Sequence, residues 1–485
     1  MQERRGWIRW ATGALLLALS LPAIPAAAAA TEAVVVQGQN TEAAAAAVTA
    51  AGGTVTRTLD LVHGVAAKLS PASAATLDAD PALAVTPDRT LHVTGSDFTP
   101  SADAPQFASL HTGPDWDPTA GDGVGVALVD TGVTDATGAF GDRLVEGADF
   151  SGEGDGIDRY GHGTFMAGLI AGGGGLGVAP GATVVSVKVA GADGSTSLSQ
   201  VLAGLGWVVD NAEDYDIRVL SLSFGVDAPM PWRADPLSNA VEAAWASGLA
   251  VVVSAGNDGA GDVTSPGRDP WVITVGATDT RGTATTKDDT VPDFSGTGRV
   301  AKVQKPEVVA PGVDVVSLRA PGSYLDRTYP VARMGRNYFR GTGTSMSTAL
   351  TAGGAAVLLW GHPEATPDDV KGALVDGADR ISKGQRAVNI GAALAEKPDD
   401  DWVQKLPSAD GSDTEWGPSD HMPWNGTRWS GTRWSGTRWS GTRWSGTRWS
   451  ATRWSGTRWS GTRWSGTRWS GTRWSATRWS AMEFA

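Results

Sequence analysis

Four short segments carry the residue types that acyl transfer requires. They are Val129-Asp130-Thr131-Gly132, Gly161-His162-Gly163-Thr164-Phe165-Met166-Ala167-Gly168, Ser254-Ala255-Gly256-Asn257, and a stretch from Gly341 to Gly353 that contains Ser345. A serine hydroxyl is a poor nucleophile alone and needs a base within hydrogen-bond reach, a part His162 can play near neutral pH. Asp130 would fix the imidazole tautomer and stabilise the imidazolium. Attack on a carbonyl creates an oxyanion, for which the Asn257 side-chain amide and the Ser345 backbone N–H are candidate donors. Each segment also has an ordinary reading: an Asp at a strand end as a turn residue, a His beside glycines as a helix cap, Ser-Ala-Gly-Asn as a turn, Gly-Thr-Ser as an N-cap. Their order, and their shared position at strand–helix junctions, favour the joint reading.

The elements that must position these residues follow from periodicity. From residue 121 to about 395, apolar strands alternate with helices, the pattern of a parallel sheet covered on both faces, and α/β is the fold class expected. Strands are predicted at 124–129, 183–189, 217–223, 249–254, 271–275 and 313–318, and helices at 198–211 and 236–247. Asp130, His162, Asn257 and Ser345 then lie at strand ends or helix starts, and ligands of open parallel sheets gather at the carboxyl ends of strands. Residues 31–95 read as strand–helix–strand–strand–helix–strand, a ferredoxin-like layout. Residues 96–120 are rich in Pro, Asp, Ser and Thr and form a connector open to cleavage; residues 396–425 form an acidic linker.

Together these segments make the chain similar to the subtilisin family of serine proteases. Asp, His, Asn and Ser occur in the family's order, and Gly177-Val-Ala-Pro180, Ser221-Leu-Ser-Phe-Gly225 and Val309-Ala-Pro-Gly312 also resemble family segments. The resemblance covers residues 121–395 and implies a doubly wound sheet, peptide-bond hydrolysis by Asp130, His162 and Ser345, and polypeptide substrates. It also implies that Ser223, Phe224 and Gly225 pair with an extended substrate, that Ala255 and Gly256 wall a side-chain pocket, and that residues 31–95 are an inhibitory propeptide whose end, near 88–96, blocks the cleft. Two departures stand beside the site. Met346-Ser347-Thr348-Ala349-Leu350 replaces the family's Met-Ala-Thr-Pro-His, and Phe165 stands where a second histidine is usual. Family members often bind structural calcium; Asp149, Asp155 and Asp158 could ligate it, but acidic Gly-rich loops are more often simply solvated, and no metal is assigned. An esterase using the same triad, and a non-catalytic cell-envelope binding protein using the domain as a scaffold, are the alternatives. The complete set of four polar residues favours the enzyme.

The 485 residues include no Cys, which excludes disulfides, Cys-ligated metals and a thiol nucleophile. Residues 1–30 have basic, apolar and small-residue regions in the order of an export signal, with Arg4-Arg5 resembling a twin-arginine motif. The protein is therefore expected to be secreted. Its formal charge of −13 conceals a split. Residues 426–480 are eleven Gly/Ala-Thr-Arg-Trp-Ser pentapeptides with eleven Arg and no acid, which leaves −24 on the rest and argues against nucleic-acid binding by the main body. Period five suits neither one helix face nor one strand face and supplies no aliphatic core, so a disordered tail is expected, with a five-residue β-solenoid the minority reading. Its Arg and Trp suit retention at an anionic cell-envelope polymer; nucleic acid, or no partner at all, are the other readings. Residues 481–485 end the chain.

Overall fold

The computed structural model describes residues 31–93, 95–97, 110, 117–226, 232–259, 261, 263–300, 303–396 and short strands between 405 and 480. The export signal at 1–30, most of the connector, most of the acidic linker and residues 481–485 lie outside the described residues.

The amino-terminal unit comprises β1 (Glu32–Gln37), α1 (Thr41–Ala50), β2 (Thr54–Leu59), β3 (Gly64–Leu69), α2 (Pro71–Asp78) and β4 (Ala84–Pro87). The helices start where side chains can cap them: Asn40 accepts from the Ala43 N–H and Ser70 from the Ser73 N–H. The antiparallel sheet has order β2-β3-β1-β4, the ferredoxin-like arrangement. Its two faces have different partners. Val34, Val36, Val65, Ala67 and Leu69 pack with Ala44, Val48, Ala74 and Leu77 of the unit's own helices. Val35 and Ala66, which point the other way, join Leu59 and Val62 in the core of the following domain. Alternation of side chains along a strand thus lets one sheet belong to two cores.

Two further strands leave this unit. The chain breaks at Asp88-Arg89, so β4 stays in the first sheet while β5 (Thr90–Val93) and β6 (Gly95–Asp97) lie on the next domain.

That domain is built from β7 (Gly125–Asp130), β8 (Leu144–Asp149), α3 (His162–Ala171), β9 (Thr183–Lys188), β10 (Ser195–Ser197), α4 (Leu198–Asp210), β11 (Ile217–Leu222), β12 (Phe224–Gly225), α5 (Pro236–Ala246), β13 (Ala250–Ser254) and β14 (Ile273–Thr278). After a hairpin of β15 (Gly298–Val300) and β16 (Val303–Lys305) come β17 (Val308–Pro311), β18 (Val315–Leu318), α6 (Tyr324–Thr328), β19 (Arg333–Met334), β20 (Tyr338–Gly343) and α7 (Thr344–Gly361). The last elements are α8 (Pro367–Asp376), β21 (Asp379–Arg380), β22 (Arg386–Ala387) and α9 (Ile390–Ala395). The nine-stranded sheet runs β21-β22-β17-β14-β13-β11-β7-β9-β8 and is parallel except at the β21–β22 edge. The segment at 313–318, expected to continue this sheet, instead pairs antiparallel with β20 as β18. The Val308–Pro311 strand takes the place in the main sheet. Strand order turns back at β7, which has β9 on one side and β11 on the other; that is the topological switch point, where a crevice opens beyond the carboxyl ends. The buried helix α7 packs under β11, β13, β14 and β17 and against α3.

Strands Arg428–Gly436, Arg448–Gly456 and Trp469–Ala476 pair in parallel, Arg428 beside Arg448 and Trp429 beside Trp449. Partners lie four pentapeptides apart, so a coil of four repeats brings each backbone segment beside its own copy.

Candidate active site

Asp130 is the last residue of β7 and fully buried. Its Oδ1 accepts the Thr131 N–H at 2.7 Å, and both carboxylate oxygens face His162 Nδ1, at 2.8 and 2.9 Å. This geometry places the imidazole proton on Nδ1 and leaves Nε2 as the basic atom. Nε2 is buried and has no hydrogen-bond partner.

His162 opens α3 because the chain before it turns through Gly161, at φ 110°, where a Cβ would sit 2.5 Å from Ser323 Oγ. Gly163 is equally confined: a Cβ there would lie 2.1 Å from the Gly132 carbonyl oxygen. A buried carboxylate ties these loops together. Asp158 accepts from Thr131 Oγ1 (2.8 Å), Gly161 N (2.6 Å), Thr164 N (2.8 Å) and Thr164 Oγ1 (2.6 Å), while Thr131 Oγ1 accepts from Gly163 N (2.9 Å). Burial pushes the Asp158 carboxyl up despite these donors. The sequence suggested Asp158 only as a calcium ligand; the acid four residues before the histidine was the signal available, and its role is to join the Asp130 and His162 segments.

Ser345 lies in the first turn of α7 and is fully buried. Eight residues further along α7, Gly353 approaches the carbonyl of Ile170, which is eight residues beyond His162 on α3; a Cβ on Gly353 would lie 3.1 Å from that oxygen. The helix that carries Ser345 and the helix that carries His162 are thus packed directly on each other. Asn257 follows β13 and is fixed to the residue before the serine. Its Oδ1 accepts from both Thr344 N and Thr344 Oγ1 at 3.0 Å, and its Nδ2 is buried without a partner. The structure thus joins Asp130 to His162 and Asn257 to the Ser345 turn.

Phe224 and Gly225 form β12 and are already paired, antiparallel, with Val93 and His92. On the other side, β10 pairs with the same segment, so β5 is the central strand of three. The fully buried Ser223 precedes β12. Ala255 and Gly256 present their main chain inward: Ala255 N donates to Val275 O (2.9 Å) and Gly256 O accepts from Gly296 N (2.9 Å). Gly256 has φ 93°, and a Cβ there would meet Thr264 Oγ1 at 2.7 Å.

The two departures from the family pattern are absorbed by packing. Phe165 is buried in the core. Ser347 Oγ donates to the carbonyls of Ala310 (2.9 Å) and Pro311 (3.2 Å), fastening α7 to β17.

The three carboxylates named for calcium do not converge. Asp149 accepts from Ser151 N, Ser151 Oγ, Gly154 N and Asp155 N, Asp155 is paired with Arg159 at 2.6 Å, and Asp158 is engaged as described. Arg159 and Lys188 supply the positive charge in that loop, and among the described residues no group of three ligands is placed to hold a metal ion. These residues do not fit a calcium site.

The Subtilase family model matches residues 121–404, and the chain belongs to this family. It is 42% identical over 275 residues to the serine protease AprX of Bacillus subtilis (strain 168), a match covering 54% of this chain and 62% of that protein. It is 35% identical over 282 residues to subtilisin Savinase of Lederbergia lenta, covering 56% of this chain and 91% of that one. In fold it is similar to fervidolysin from Fervidobacterium pennivorans, a keratinolytic enzyme related to subtilisin. The TM-score is 0.61 at 23% identity, over 78% of this chain and 62% of that one. The chain therefore spans less than two thirds of the length of AprX.

Proposed function

We propose that this chain is a serine endopeptidase made as a self-inhibited precursor, with the amino-terminal unit as its inhibitor. One observation carries the reading. The chain's own β5 lies as an extended strand between β10 and β12, and β6 then pairs with β20 at Thr342 and Gly343, two residues before Ser345. A peptide is thus threaded past the candidate nucleophile by main-chain pairing, the mode expected of a protease that reads backbone first. In this reading the cut that matures the protein falls after Thr94, between β5 and β6.

In this reading, Ser345 Oγ attacks the carbonyl carbon and His162 Nε2 takes the hydroxyl proton. Asp130 holds Nδ1–H and stabilises the imidazolium without becoming protonated. The oxyanion accepts from Asn257 Nδ2 and the Ser345 N–H; one such donor is worth about 10²–10³ in turnover, the scale known from a subtilisin. Collapse of the intermediate breaks the C–N bond, His162 passes its proton to the leaving amine, and water repeats the cycle on the acyl-enzyme.

Leu91, fully buried in the domain core, adds about 1.5–3 kcal/mol of apolar burial to inhibitor docking. Asp88 adds a cap, accepting from Ser199 N (2.8 Å) and Ser199 Oγ (2.7 Å) at the start of α4. Residues 1–30 would direct export and the Arg/Trp repeats would hold the protein at an anionic envelope polymer. Among the described residues no helix is long and apolar enough to cross a membrane.

Labelling by a fluorophosphonate, with Ser345→Ala as control, tests the chemistry. Labelling of the matured wild type alone is expected, and absence of labelling in both sinks the enzyme reading. Casein hydrolysis then separates a peptidase from an esterase. Deleting residues 426–485 should release the protein from cells; unchanged partitioning would reject retention by the tail.

A further inference from the structure

The segment in the cleft makes a charged contact that neither backbone pairing nor the triad requires. Arg89, just before β5, extends its guanidinium toward Asp235, with Nη2 3.7 Å from Oδ1. Its carbonyl accepts the Leu198 N–H at 2.9 Å, so the backbone is held at this residue too. Asp235 is fully buried at the start of α5, where its carboxylate accepts from Leu237 N (3.2 Å) and from Ser265 Oγ. Two hydrogen bonds leave acceptor capacity on this buried carboxyl, and burial pushes its pKa up, so a cation placed beside it favours the charged form. Counting Thr94 as the first residue before the cut, Arg89 is the sixth.

Resting on the peptidase reading above, we propose that Asp235 is a specificity-determining residue that selects substrates with a basic side chain at the sixth position before the scissile bond. When the amino-terminal unit leaves, its Arg89 goes with it, and a substrate lying along β10 and β12 presents its own side chain to the same carboxylate. Arg268 lies within electrostatic reach of Asp235 but belongs to the domain itself. It is therefore constant across substrates and cancels in any comparison of them.

The test uses the matured full-chain protein and internally quenched peptides carrying the sequence of residues 89–97. The first residue is Arg, citrulline (the same shape without charge) or Glu. Arg is expected to exceed citrulline by about tenfold in kcat/KM, chiefly through KM, with Glu lower still. In Asp235→Asn, which keeps an oxygen for the helix cap, the Arg-to-citrulline ratio should fall to about one. A flat series in the wild type, or a preference that survives Asp235→Asn, overturns the assignment while leaving the peptidase reading intact. Cleavage of none of the peptides takes down both. If Asp235→Asn does not fold, the wild-type series decides by itself, supported by loss of the Arg preference between about 0.05 and 0.5 M salt.

Discussion

The two edges of the main sheet both bury polar clusters, and the clusters are built on opposite plans. Beyond the carboxyl ends of β7 and β13, His162 Nε2 and Asn257 Nδ2 are buried with no partner. At the amino ends of β14 and β17, Lys305 Nζ donates to Val272 O (3.1 Å), Thr274 Oγ1 (2.9 Å) and Glu307 Oε1 (2.6 Å). Lys371, from α8, reaches the same Glu307 oxygen at 2.8 Å as well as three carbonyls. Glu307 Oε2 accepts the Thr274 N–H. Burial pulls Lys305 down to about 8 against the pull of Glu307. It also pushes Glu307 up, but Lys305 and Lys371 outweigh it and hold that carboxyl below its usual range. Unsatisfied buried donors and acceptors are costly. Such atoms also occur elsewhere, Ser186 Oγ, Ser238 Oγ and Thr278 Oγ1 among them, so what sets the first cluster apart is that its two unpartnered atoms belong to residues joined to Asp130 and to the Ser345 turn.

Substitutions can break this contrast from either side. The largest effect is expected at Asp130→Asn, which preserves shape but allows the wrong imidazole tautomer. Turnover on casein should fall about 10⁴-fold, the scale of the same change in other triad proteases, with unfolding unchanged. A large loss of stability instead would put Asp130 with the structural cluster. Next is Lys305→Met, measured by urea unfolding in a Ser345→Ala background to prevent self-digestion. It strips Glu307 of one partner and should cost about 3–5 kcal/mol; a change below about 1 kcal/mol would mean the saturated edge is dispensable. A smaller change is expected at Asp88→Ala, which removes a helix cap worth about 0.5–2 kcal/mol from the docked unit. The lag before activity appears in purified precursor should shorten several-fold, and an unaltered lag would take Asp88 out of the inhibitory contact.

The smallest effect concerns pH at the amino-terminal edge. Burial pushes the Asp269 carboxyl up to about 6, against its hydrogen bond to Glu242 and the nearby lysines. A raised carboxyl pKa means the native state holds the proton more tightly than the unfolded chain. Its contribution to stability is therefore full below about pH 4 and is lost as pH rises through about 6. Denaturation of the Ser345→Ala protein should show that slope, and Asp269→Asn should flatten it. An identical pH profile in the two proteins would refute the assignment.

Much of the site could be read before any coordinates. Asp130, His162, Asn257 and Ser345 stood out because glycines and small residues surround them at strand–helix junctions, and the confined Gly161 and Gly163 now explain why. Asp158 was misjudged, since a carboxylate in a Gly-rich loop gives no sign of which donors will fold around it. The 313–318 segment leaves the main sheet because an apolar run does not say which sheet it joins, and the bend at Val313-Asp314, with Asp314 at φ 55°, turns it toward β20. The contact of Arg89 with Asp235 was invisible for a similar reason, as its partners are 146 positions apart.

The amino-acid sequence by itself determined the α/β alternation, the family and the candidate site residues, because these are written in local periodicity and short motifs. Only the tertiary structure decided that Val35 and Leu59 of the first unit enter the second domain's core, and that β5 pairs between β10 and β12. It alone decided which buried polar atoms are left without partners. Those outcomes depend on which surfaces meet and which donors find acceptors, and distance along the chain carries no record of either.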